Sequence, residues 1–380
     1  MIKIVCLTGT RADYPRVKSV LLKLNKNKKF KLKLVVTGTH LSKKYGYSVK
    51  EIIKDKLPIS QKIKIIKKNH NTFVDVSLSA SKLVKEFSKY LNSVKPDLVL
   101  LTVDRYETLA SAVSAFLMNI PIAHIQGGEV TGTADETIRH AVTKLSNFHF
   151  VANSDAKKRL IKLGEFEKNI FNFGCPYIDV IKKIKYSSKK NLFNKLNLDL
   201  NKKTIIFIQH SVTSEIHVVK KQIQITINAL KEFKDTQIVS IFSNSDAGGK
   251  FIIDKMKKNN QFNVFPNIDS EDFLSLMKHA NVMIGNTSAA IREAPSFSLP
   301  AVNIGTRQNK RLRAKNVIDC EHNKDKIVKA LNKALYNKKF LSKLKNIKNP
   351  YGDGNSANKI VNKLLKINLE NFNIQKTISY

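Results

Sequence analysis

An apolar run, Ile120-Pro121-Ile122-Ala123, empties into His124-Ile125-Gln126-Gly127-Gly128-Glu129 and, soon after, into Asp135-Glu136-Thr137-Ile138-Arg139-His140. A glycine pair after a buried strand lets backbone approach a ligand closely, and the next helix opens on two acids and presents Arg139 and His140 one turn in. Carboxylates beside an arginine and a histidine suit proton transfer on an anionic substrate. Two clusters in the same half share this character. Gly9-Thr10-Arg11-Ala12-Asp13-Tyr14 follows the first apolar run, so backbone amides and the Arg11 guanidinium are expected to face an anion there. Val99-Leu100-Leu101 ends in Thr102-Val103-Asp104-Arg105, which sets Asp104 beside a cation, as an acid/base or as a helix cap.

The second half carries a different set. Phe207-Ile208-Gln209-His210 ends a strand on an ionisable group, and Ser243-Asn244-Ser245-Asp246-Ala247-Gly248-Gly249 reads either as a helix entry near a nucleotide or as turn chemistry. In Met283-Ile284-Gly285-Asn286-Thr287-Ser288-Ala289-Ala290-Ile291-Arg292-Glu293, a strand, a glycine and two hydroxyls lead into a helix. The helix amides suit a diphosphate, and Glu293 suits the two ribose hydroxyls. Gly305-Thr306-Arg307-Gln308 adds a further cation.

Every one of these clusters follows a β-rich apolar run, the position at which open α/β sheets bind ligands. The runs read as strands at Lys3–Leu7, Leu32–Thr37, Lys62–Ile66, Asp97–Leu101, Pro121–Ile125 and His149–Ala152, then at Thr204–Gln209, Gln237–Phe242, Phe262–Phe265, Val282–Gly285 and Ala301–Ile304. Helical periodicity between them predicts an α/β fold of two parallel-sheet, Rossmann-like domains facing a central cleft, an architecture of GT-B type. The boundaries are 1–181 for an N-terminal domain carrying the acid/base clusters and 182–354 for a C-terminal domain carrying the nucleotide-type motif. A Lys, Asn and Ser-rich linker over 182–203 joins them, a last helix is expected over 355–367, and 368–380 forms a loosely held tail. Tyr351-Gly352-Asp353-Gly354-Asn355-Ser356-Ala357 follows no strand and reads as a turn and helix cap, not an NAD site.

Composition narrows the function classes. The net charge of +37 invites a nucleic-acid reading, but of 67 basic residues only nine are arginine. Lysine coats the chain generally, and no aromatics interleave with it as an RNA-binding surface requires. Arginine is instead concentrated in or beside the loop motifs, where a planar fork grips carboxylate or phosphate. Three distant cysteines, Cys6, Cys175 and Cys320, give neither a disulfide framework nor a zinc cluster and fit a reducing cytoplasm. Thr108–Gly128 is long and uncharged, but Ser111, Ser114, Asn119 and Pro121 break it into a helix and a strand. No HExxH, CxxC, Walker loop or nucleophile elbow occurs, so neither a metal nor a cofactor is expected. His70, His149, His217, His279 and His322 are scattered and read as structural or solvated.

The three motifs around Arg11, His124–His140 and Gly285–Glu293, in this order, resemble the hydrolysing UDP-N-acetylglucosamine 2-epimerases of sialic and legionaminic acid synthesis, over roughly residues 1 to 366. The resemblance implies a C-terminal helix crossing back to the first domain, proton work by Asp104, Glu129, Glu136 and His210, and a homodimer or homotetramer. Arg11, Arg105, Gln126, Arg139, His140, Gly285, Thr287, Ser288, Glu293 and Arg307 would contact the UDP-sugar. Relatives often carry glycine at Val103, histidine at Thr102 and glutamate at Gln126. An amide cannot take a proton, so C2 chemistry falls to Asp104, Glu129 or Glu136, with Gln126 at most orienting the sugar. The implied reaction converts UDP-N-acetylglucosamine and water to N-acetylmannosamine and UDP through a glycal. The same chemistry on UDP-2,4-diacetamido-2,4,6-trideoxyglucose, and more distantly a GT-B glycosyltransferase, remain alternatives.

Overall fold

The computed structural model describes residues 1–43, 46–66, 72–131, 134–243, 248–369 and 374–380. The chain forms two compact units, Met1–Lys182 with Tyr351–Tyr380, and Lys183–Pro350.

In the first unit seven strands, β1 (Ile2–Thr8), β2 (Phe30–Val36), β3 (Ile59–Lys62), β4 (Leu98–Thr102), β5 (Ile122–Ile125), β6 (Phe148–Val151) and β7 (Ile170–Asn172), form one sheet in the order β3-β2-β1-β4-β5-β6-β7. All neighbours are parallel. Parallel strands covered on both faces need continuous apolar runs, and β4 is buried at every residue. One face packs Ile4, Cys6, Leu34 and Leu100 against Val17, Leu21 and Leu24 of helix Tyr14–Lys26, and the other packs Val5, Val99 and Leu101 against Leu83, Phe87 and Leu91 of helix Phe73–Val94.

The second unit holds β8 (Lys203–Ile208), β9 (Thr236–Ile241), β10 (Phe262–Phe265), β11 (Val282–Gly285), β12 (Ala301–Ile304) and β13 (Val317–Cys320), parallel throughout in the order β10-β9-β8-β11-β12-β13. In both sheets the chain reverses its direction of strand addition once, between β1 and β4 and between β8 and β11. Crevices at such switch points are where doubly wound sheets take ligands.

The differences from the sequence reading lie at the margins. The third strand pairs over Ile59–Lys62, upstream of the expected Lys62–Ile66, although Ile63 and Ile65 are still buried beyond it. The edge strands β7 and β13 carry too short and too mixed a pattern to be read. The stretch 182–203 is no plain linker, because Ser188 caps helix Lys189–Lys195 through the Asn191 amide and Leu192 and Phe193 enter the core of the second unit. The last helix spans Ser356–Leu364 and packs on the first unit, its free amides at Ser356 and Ala357 held at 2.9 and 2.7 Å by the Asp179 carboxylate. The expected loose tail is instead fastened: Asn147 donates to Ile374 O, and the Ser379 amide donates to Gly164 O. Among the described residues no helix is long and apolar enough to cross a membrane.

Candidate functional site

The first unit gathers its acids at the carboxyl ends of β1, β4 and β5. Asp104, two residues past β4, forms an ion pair with Arg139 Nη2, while Arg139 Nη1 donates to the Glu129 carbonyl. Arg139 is buried on helix Ala134–Leu145, so one guanidinium ties the β4 loop to the β5 loop. Its fork is directed at Asp104 and Glu129 O. Glu129 is itself buried, and on the same helix Glu136 accepts from the Thr131 amide at 2.8 Å and lies 3.7 Å from His140. Burial lowers the His140 pKa, and Glu136 opposes that shift.

Gln126 directly follows β5 in the left-handed region (φ 67°) with its side chain buried. Its Oε1 accepts from Arg16 at 3.1 Å and its Nε2 donates to Cys175 Sγ at 2.8 Å. Behind it, His124 Nε2 donates to Val103 O (2.8 Å), and burial drives its pKa down to about 3. Arg105 is half-buried, 3.7 Å from Glu107. Glu107 is wholly buried beneath the loops after β1 and β2, so that a methyl group on Gly38 would lie 2.8 Å from its Oε1. Burial raises its pKa, against the pull of Arg105.

The Gly9 loop is not the open anion nest its sequence suggests. The Asp13 carboxylate folds back and takes the Gly9 amide (2.9 Å), the Thr10 amide (3.1 Å) and the Thr8 hydroxyl (2.7 Å). A buried carboxylate must be hydrogen-bonded, and here it uses the donors expected to serve a ligand. His40, buried between Thr8 and Ser48, completes the cluster. Arg11 projects from this loop, exposed, with Ala12 beside it.

In the second unit the switch point is built on Asn286. Its side chain bridges the backbone of His210, accepting from the amide at 2.7 Å and donating to the carbonyl at 2.8 Å, and so clamps the end of β8 to the end of β11. Its own carbonyl accepts from Arg307 Nη1 (3.2 Å) and Gln308 Nε2 (2.8 Å). Gly285 (φ 126°) permits this closeness, since a β-carbon there would stand 1.9 Å from Ile208 O. Burial, and then the Arg307 charge, lower the His210 pKa to about 3, leaving a neutral imidazole with Nδ1 3.5 Å from Ser243. Thr287 and Glu293 are buried and Ser288 half-buried. The helix they enter is shorter than expected: it covers only Ala289–Arg292 before a 3-10 turn that contains Pro295, a residue without the amide hydrogen a longer helix needs. Of the 243–249 stretch, residues 244–247 lie outside the described residues, as does His70.

A family model described as UDP-N-acetylglucosamine 2-epimerase matches residues 22–365. The chain belongs to this family. It is 36% identical over its whole length, and 99% of the relative's, to the UDP-N,N'-diacetylbacillosamine 2-epimerase (hydrolyzing) of Legionella pneumophila. It is 34% identical to the UDP-N-acetylglucosamine 2-epimerase of Neisseria meningitidis serogroup B, covering 90% of this chain and 89% of that one. Among solved structures it matches the UDP-GlcNAc 2-epimerase from Neisseria meningitidis bound to UDP-GlcNAc, with a TM-score of 0.84, 21% identity, and coverage of 96% of this chain and 100% of the other. The family's two-unit, GT-B-like parallel α/β fold is therefore the fold of this chain. Within it, the members of the site that sequence reasoning overlooked are Asp13 with His40, Glu107, and the Arg16 and Cys175 contacts to Gln126. Asp13 stood in the Gly9–Tyr14 cluster, but its inward turn onto Thr8, Gly9 and Thr10 was not legible there, and the His40, Arg16 and Cys175 contacts join distant segments.

Proposed function

We propose that this epimerase-family chain is a hydrolysing 2-epimerase that takes a UDP-linked 2-acetamido sugar and water to UDP and the free C2-inverted sugar. The observation that carries the reading is the Asp104–Arg139–Glu129 constellation, in which one buried guanidinium pairs with the Asp104 carboxylate and holds the Glu129 main-chain carbonyl beside the switch point of the first sheet. A C2 hydrogen not adjacent to a carbonyl is barely acidic, so the bond from C1 to the diphosphate must weaken first. In this proposal Arg307, Thr287 and Ser288 favour the departing UDP, Glu293 takes the ribose hydroxyls, Arg11 adds a cation, and His210, neutral, offers a hydrogen bond near the leaving oxygen. As positive character grows at C1, Asp104 accepts the C2 proton; the C1–O bond breaks, UDP leaves, and a glycal remains. Water then adds its hydroxyl at C1 while Glu129 or Glu136 supports proton delivery to the other face of C2. Arg139 fixes Asp104, Gln126 orients the acetamido sugar, and Arg105 and His140 border it. No cofactor is needed for this sequence of steps.

Identity to the Legionella pneumophila enzyme, and 37% identity to a Campylobacter jejuni enzyme named GDP/UDP-N,N'-diacetylbacillosamine 2-epimerase (hydrolyzing), supports the UDP-linked 2,4-diacetamido-trideoxy sugar as substrate. The 34% identity to the Neisseria meningitidis relative supports UDP-N-acetylglucosamine as the second reading. Incubation with each in deuterated water tests both. Solvent deuterium at C2 of a freed, inverted sugar is expected, faster from the preferred substrate. UDP release with unlabelled sugar, or release only when a sugar acceptor is added, overturns the proposal.

A further inference from the structure

Helix Ala134–Leu145 presents Glu136, Arg139 and His140 from its first two turns, and its last carbonyls, like those of any helix, lack partners within it. They are met by a lysine from the far end of the chain. Lys376 Nζ donates to Thr143 O at 2.8 Å, Lys144 O at 3.0 Å and Ser146 O at 2.5 Å, and it pairs at 2.6 Å with Glu165, whose side chain is 1% exposed. Three carbonyls and a buried carboxylate satisfy an ammonium that is itself largely covered, with a cation at the negative end of the helix dipole. Glu165 is shared: His149 on β6 lies 3.0 Å away and Lys144 3.1 Å away. His149 faces His124 across the β5–β6 ladder, and His124 bonds Val103 O, one residue before Asp104. The tail reinforces the grip at Gly164, where the Ser379 amide donates to the carbonyl and Ile378 and Tyr380 leave no room for a β-carbon.

Two routes thus run from one side chain to the ion pair at the strand ends: along the helix to Arg139, and through Glu165, His149 and His124 to the Asp104 loop. We infer that Lys376 is a positioning residue for this epimerase, its ammonium fixing the helix Ala134–Leu145 so that Arg139 holds Asp104 in register. The inference rests on the reading of Asp104 and Arg139 given under the proposed function.

The test compares Lys376→Ala and Lys376→Arg in the full chain, measuring kcat and KM for the UDP-sugar, the dissociation constant of UDP alone, and thermal unfolding. Small misplacement of reacting groups by a distant change costs up to about a hundredfold in rate. Lys376→Ala is expected to lose about ten- to a hundredfold in kcat with KM and UDP affinity within about twofold of the parent, and Lys376→Arg, which keeps the charge and the donors, to recover most of it. Lys376→Gln, which retains N–H donors, takes the place of the alanine variant should that variant not accumulate folded, and is read by the same split. An unchanged kcat overturns the inference. So does a parallel loss of kcat and UDP binding, the mark of a merely structural tie, or an arginine variant as slow as the alanine one. Asp104→Asn runs alongside: if it turns over like the parent, the site reading fails, whereas an inactive Asp104→Asn beside a fully active Lys376→Ala overturns the tail's role alone.

Discussion

The two units share a sheet topology and a switch point, yet they furnish it oppositely. In the first, four acids are matched at close range: Asp104 by Arg139, Asp13 by backbone amides, Glu107 by Arg105, Glu136 by His140 and an amide. In the second, the framework is neutral and backbone-directed, Asn286 tying the His210 strand end to its neighbour, with Arg307 supplying charge. A crevice built of matched carboxylates suits proton movement, and one built of amides, hydroxyls and an arginine suits holding an anion. One sheet topology thus carries two different sets of side chains at its switch point.

The sharpest way to break this contrast is Asp104→Asn. Removal of a general acid or base costs about 10²–10⁴ in rate, so sugar turnover should fall by that factor while calorimetry finds UDP affinity unaltered. Loss of UDP binding in this variant would erase the distinction between the units. Next in size is Arg307→Ala. A hydrogen bond to a charged group contributes about 1.5–3 kcal/mol, so the dissociation constant of UDP should rise about ten- to a hundredfold, with less effect on the chemical step once substrate saturates. A third effect, on stability and not on rate or binding, is one the units share. His124 and His210, one in each, are held neutral by burial with pKa values of about 3 against an ordinary 6.5. The unfolded chain protonates both first, so stability is level above about pH 6.5 and declines as pH falls toward 3, by up to about 1.4 kcal/mol per pH unit per histidine. Urea midpoints between pH 7 and pH 4 should show this slope, and His210→Asn should reduce it; a midpoint that rises on acidification would contradict the neutral histidines.

How much of this was legible in the linear chain follows from where each signal resides. β4 and β11, buried on both faces, had to be uninterrupted apolar runs, and the loop motifs they empty into therefore stood out. β7 and β13, at sheet margins, needed no such run, and helix Lys189–Lys195 buries only two large side chains amid lysine and asparagine. The Gly9 loop misled because its composition matches both an anion nest and a nest already filled by its own Asp13; only the fold of the next turn decides. Gln126 was identifiable as a departure, but its partners Arg16 and Cys175 lie 110 and 49 residues away. Lys376, in a chain where lysine is the commonplace cation, carried no mark at all.

The left-handed turn at Val103 (φ 57°) has a consequence of its own. A β-branched residue in that conformation is strained by about 1–3 kcal/mol and persists only where its surroundings over-determine it. Here the Val103 amide is bonded to Ile125 O and its carbonyl to His124, so the peptide is gripped from both sides immediately upstream of Asp104. A glycine would relieve the crowding and at the same time widen the arc through which the following carboxylate can swing. The valine trades conformational ease for a fixed main-chain direction, and the course of the chain into Asp104 is thereby set by backbone contacts on both sides.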